Sequence, residues 1–127
     1  MARRRALSTA ALAATAALVV SAAPAHAATP PAYVALGDSY SSGTGTRSYL
    51  ADGTSCLRSV YAYPSIIASA KGYALNFRAC SGAKIADVTN TQLSALNSGT
   101  NYVTISIGGN DAGFASVLTT CAQPAWL

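Results

Sequence analysis

The chain has 127 residues, 51% of them hydrophobic and only 9% charged, with a formal net charge of +4. Three of its eight Lys and Arg are Arg3, Arg4 and Arg5, and the other five stand against four Asp and Glu, leaving the remainder at +1. A nearly neutral body gives no electrostatic basis for binding nucleic acid or anionic membranes, and the apolar content is too high for a disordered chain.

In chain order, Arg3 to Arg5 precede an alanine-rich stretch, Ala6 to Ala23, and Ala25-His26-Ala27 offers small residues at both positions of a cleavage site. Residues 1–27 are therefore expected to be a secretory signal peptide, which makes the protein extracellular. The stretch is short, mostly alanine and interrupted by Ser8, Thr9 and Thr15, so it is not expected to serve as a stable membrane anchor. Two adjacent arginines leave both the general and the twin-arginine export routes open. The single histidine, His26, lies in this leader, so residues 28–127 contain none.

Residues 28–127 suffice for one small domain. Pro30 and Pro31 give an extended lead-in, and Tyr33 to Gly37 reads as a strand apolar on both faces, hence central in a parallel sheet. Ser41 to Ser59, rich in Gly, Ser and Thr, reads as a long loop. Pro64 opens a helix through Ala70 that Gly72 stops. Tyr73, Leu75 and Phe77 alternate with polar or small residues as a second strand. Asp87 is expected to cap a helix through about Leu96, with Leu93 and Leu96 on its inner face. Tyr102 to Ile107 alternates as a third strand, and a last helix is expected from near Asp111 towards Thr120. Strands alternating with helices in this order predict an α/β fold with a parallel sheet.

Each strand is followed by a residue suited to chemistry. Gly37-Asp38-Ser39 follows the first, Gly82 within Ala79-Cys80-Ser81-Gly82-Ala83 follows the second, and Gly108-Gly109-Asn110-Asp111 follows the third. In an open parallel sheet the ligand crevice lies outside the carboxyl ends of the strands, so all three are expected at one edge. Attack by a serine on an ester carbonyl needs a base for its proton and donors for the oxygen that becomes negative. The Ser39 and Gly82 backbone N–H groups and the Asn110 amide are candidate donors.

These blocks resemble the SGNH (GDSL-type) hydrolases, the secreted actinomycete lipases and esterases among them; Tyr40 replaces the leucine of the GDSL name. The resemblance implies a three-layer α/β/α, flavodoxin-like fold. It also implies a monomer hydrolysing lipid or small-molecule esters, with Ser39 as nucleophile, Ser39, Gly82 and Asn110 as the oxyanion hole, and neither metal nor organic cofactor. The family takes its catalytic histidine from an Asp-x-x-His block far downstream of the serine, and no such block occurs before Leu127. The expectation is that the chain corresponds to the N-terminal half of such an enzyme, with the catalytic histidine and the C-terminal part missing and little activity of its own. The alternative is a non-catalytic secreted binding module, or a decayed gene fragment of the same family.

Cys56 and Cys80 flank the first helix and second strand and are expected to pair, as the resemblance also implies; Cys121 would find its partner beyond Leu127. None of the three has C-x-x-C spacing, so a zinc site is not expected. Gly43-Thr44-Gly45 lacks the residues that complete a phosphate loop, since Ser48 stands where a dinucleotide motif has its third glycine. Asp38 is expected to act as a local hydrogen-bond acceptor and Asp111 as a helix cap.

Overall fold

The computed structural model describes residues 28–124, so the expected leader and the last three residues lie outside the described part. Three parallel strands form one sheet in the order β2-β1-β3: β1 is Ala32–Gly37, β2 Ala74–Phe77 and β3 Thr100–Ser106. The apolar run Tyr33–Leu36 takes the centre because it alone is buried on both faces, each of its residues being 3% exposed or less. Tyr33 and Ala35 share one face and pack with Ala68 of α2 (Tyr63–Lys71), while Val34 and Leu36 occupy the other. The Tyr33 hydroxyl bonds to Thr104 Oγ1 at 2.7 Å, and Tyr73 stacks on Tyr102 with ring centres 4.7 Å apart. The two flanking strands are thereby tied across β1. The architecture is α/β, as the strand and helix order predicts.

The helix ends follow local chemistry. Pro64 lies in the first turn of α2, and Gly72 ends it with φ +67°. The region expected to be loop from Ser41 begins instead with a helical turn, α1 (Ser39–Ser42), because the Asp38 carboxylate accepts the Tyr40 N–H at 3.0 Å. The rest of that loop is anchored by buried Ser59. Its N–H donates to the Ser42 carbonyl at 2.9 Å, and its hydroxyl accepts from Thr46 Oγ1 at 2.8 Å.

Two helix expectations need correction. α3 (Ile85–Asp87) is capped by Lys84, not Asp87; Asp87 lies inside it and reaches back to accept the Lys84 N–H at 2.8 Å. It then widens into a π turn, Val88–Gln92, and tightens into a 3₁₀ turn, Leu93–Ala95. The wide turn changes which residues face inward, so Val88 and Gln92 are buried while Leu93 and Leu96 are exposed. The last helix, α4 (Phe114–Cys121), starts after Gly113 rather than at Asp111. Asp111 caps α3 across the structure, its carboxylate accepting the Ile85 N–H at 3.1 Å.

Candidate active site

Because the three strands are parallel, their carboxyl ends share one edge, and the segments after them carry Ser39, Gly82 and Asn110. From β1 the chain goes first to β2 on one side and later to β3 on the other. The crevice of such a sheet opens where that direction reverses, beside β1.

At the end of β1 the backbone is tightly constrained. Gly37 has φ +127°, and a Cβ there would overlap the Ser106 carbonyl oxygen and the Ser41 hydroxyl. Only glycine satisfies both the conformation and the space. The next N–H, of Asp38, donates to the Ser106 carbonyl at 3.0 Å, and Asp38 itself is buried. These bonds place Ser39 at the start of α1, half-buried at the sheet edge.

The loop after β2 is braced from below. A Cys56–Cys80 disulfide joins it to the long loop, Ser81 N–H donates to the Cys56 carbonyl at 3.0 Å, and Arg58 Nε donates to the Ala79 carbonyl at 3.0 Å. Arg58 also pairs with Asp52 at 2.6 Å. Gly82 takes φ +81° with open space around its Cα, so here the backbone conformation, not crowding, selects glycine. Cys121 is exposed and unpaired among the described residues.

Asn110 links the edge together. Its Nδ2 donates to the Ala83 carbonyl at 2.8 Å, and one residue on, Asp111 holds Ile85. The loop after β3 is thus tied to the loop that carries Gly82. Ser39 and Asn110 line a common pocket of about 280 Å³ with Tyr40, Ser106, Ile107 and Phe114. Gly82 lines a neighbouring, larger cavity of about 510 Å³, together with Arg58, Arg78, Ser81 and Gln92. The larger cavity is lined by neither Ser39 nor Asn110, so the expected site residues do not gather in the larger space. The structure brings Ser39 and Asn110 into one pocket and joins Asn110 to the Gly82 loop, with Gly82 itself facing the adjoining space.

No histidine occurs in residues 28–124, and among the described residues no three His, Cys, Asp or Glu side chains gather as a metal site. Sequence reasoning missed Gln92, which is buried and bonds Gly37 through both amide atoms, Oε1 accepting at 2.8 Å and Nε2 donating at 2.9 Å. Its only sequence signal is a polar residue four positions after Val88, on what becomes the inner face.

Residues 35–125 match the GDSL-like Lipase/Acylhydrolase family. The chain is 55% identical over 119 residues to Lipase 1 of Streptomyces coelicolor, covering 91% of this chain and 44% of that one. Two solved structures share the fold at TM-score 0.69 each. The phospholipase A1 of Streptomyces albidoflavus NA297 is 52% identical, with 76% of this chain and 42% of that chain covered. The extracellular lipase of Streptomyces rimosus is 53% identical, with 74% and 41% covered. The chain therefore spans less than half the length of each of these relatives.

Proposed function

Because the chain belongs to the GDSL-like lipase/acylhydrolase family, we propose that residues 28–127 form the nucleophile-bearing part of a secreted carboxylic-ester hydrolase, with residues 1–27 as its export signal. Ser39 Oγ bonds to the ester carbonyl carbon as a general base takes its proton, and the carbonyl electron pair moves to oxygen; the same base then returns the proton to the departing alkoxide. The Ser39 and Gly82 N–H groups and the Asn110 amide hold the carbonyl oxygen as charge develops, after which the alcohol leaves and water releases the acyl group. Asn110 gives one amide hydrogen to Ala83 and keeps a second for the oxyanion. The proton acceptor for Ser39 is not a histidine of residues 28–124. The observation that carries the reading is the shared pocket of Ser39 and Asn110 beside the central strand. The 52% and 53% identity to a phospholipase A1 and an extracellular lipase supports glycerolipid esters as substrates and secretion as the destination.

A hybrid joining this chain to the C-terminal remainder of the Streptomyces rimosus lipase tests the proposal. Fluorophosphonate labelling at Ser39 is expected, with loss of labelling in Ser39→Ala. Asn110→Ala is expected to lower ester turnover by about 10²–10³-fold, the usual effect of removing one oxyanion donor. A hybrid that folds and hydrolyses esters equally well with Ser39→Ala would defeat the assignment.

A further inference from the structure

Strand β2 ends too early to serve all of β1. Its last register pair is Ala35 with Phe77, and beyond it the chain turns away, giving the N–H groups of Arg78 and Ala79 to the Ala35 carbonyl. Gly37, two residues further along β1, pairs with Ser106 on the β3 side. On the other side it faces no strand. There its N–H donates to Gln92 Oε1 at 2.8 Å, and its carbonyl accepts from Gln92 Nε2 at 2.9 Å and from the Cys80 N–H at 3.0 Å. A primary amide presents one acceptor and one donor side by side, as the carbonyl and N–H of two flanking residues on a neighbouring parallel strand do. Gln92 is only 3% exposed and 55 residues from Gly37, on the last position of the π turn.

We infer that Gln92 is a positioning residue for Ser39: its amide takes the place of the missing β2 partners and fixes Gly37, and so sets the turn that presents the serine. The inference rests on the reading of Ser39 as nucleophile. Removing the amide leaves a buried N–H without its partner and the Gly37 carbonyl with one donor fewer, in the segment that must not shift. A displacement of about 1 Å at a reacting group is enough to cost on the order of 10²-fold in rate.

The chemistry offers a test that loss of packing does not mimic. In Gln92→Glu the protonated carboxyl still presents one donor and one acceptor, whereas the ionised form presents acceptors only and turns one against the Gly37 carbonyl. In the hybrid, the Gly37 and Ser39 amide resonances of Gln92→Glu are expected to depart from the parent's at pH 8. They should return together as the pH falls through titration of the carboxyl, which burial pushes above its ordinary range. Gln92→Leu should displace the same resonances at every pH. In the hybrid, the Ser39 labelling rate of Gln92→Glu relative to the parent should fall at least ten-fold at pH 8 and recover over the same pH interval. Parent-like Ser39 resonances in Gln92→Leu would overturn the inference. So would a Gln92→Glu chain, folded or not, whose Ser39 resonance fails to return at acid pH. A parent hybrid that never labels would strike the esterase reading alone, because the resonances decide the role of Gln92 without turnover.

Discussion

The Asp52 carboxyl is held below the ordinary carboxylate range, chiefly by the hydroxyl and then the N–H of Thr54, with the Arg58 guanidinium adding to the effect. Since folding lowers this pKa, the contribution to stability is present above the ordinary aspartate value, about pH 4, and is lost as the pH falls below it. Acidification from pH 5 to 2 is therefore expected to release Arg58 from Asp52 and loosen the brace on Ala79, read as loss of protection of the Arg58 Nε proton relative to free arginine at the same pH; unchanged protection over that range would refute it. The residues that suggested chemistry were legible by type and by position after a strand: Ser39, Gly82 and Asn110. Gln92 was not, because its role depends on where β2 stops, and a glutamine in a helical stretch carries no sign of the strand it will complete.

Among the elements, the strands and α2 could be read closely from alternation, Pro64 and Gly72. The α3 region could not. Leu93 and Leu96 fit an inner helical face, but a π turn before them alters the facing, and periodicity cannot reveal a wide turn that tertiary bonds impose. The first turn after β1 was hidden for a related reason: Ser, Tyr and Gly suggest a loop until Asp38 caps it. The disulfide acts at this scale by joining the long loop to the end of β2. It closes a segment with a sequence separation of 24, so replacing both Cys56 and Cys80 by Ala is expected to cost about 3–4 kcal/mol of stability in urea unfolding. A loss below about 1 kcal/mol would mean that the hydrogen bonds of Ser81 and Arg58 hold the junction without it.

Across the molecule, apolar surface is unevenly placed. On β3, Tyr102, Val103 and Ile105 are about half exposed, and on α4 Phe114, Val117 and Leu118 are exposed by more than half. A strand edge with such residues is prone to pair with other chains. The 127-residue chain is expected to self-associate, and Val103→Lys with Ile105→Lys to shift it towards monomer in sedimentation; an unchanged distribution would show that β3 is not the adhesive surface. Gly37 governs a different property, the pattern of tolerated change along the chain. Every other amino acid brings the same Cβ into the space held by the Ser106 carbonyl and the Ser41 hydroxyl. Size and polarity beyond that atom hardly matter, so a saturation scan of the hybrid should find position 37 uniformly intolerant, with protein abundance and ester turnover falling together. At Ser39, half-buried at the sheet edge and the proposed nucleophile, abundance of the hybrid should survive substitutions that abolish its ester turnover. Two neighbouring sites would then look equally constrained across descendants of this sequence, one because the fold admits no side chain and the other because the proposed chemistry admits no substitute.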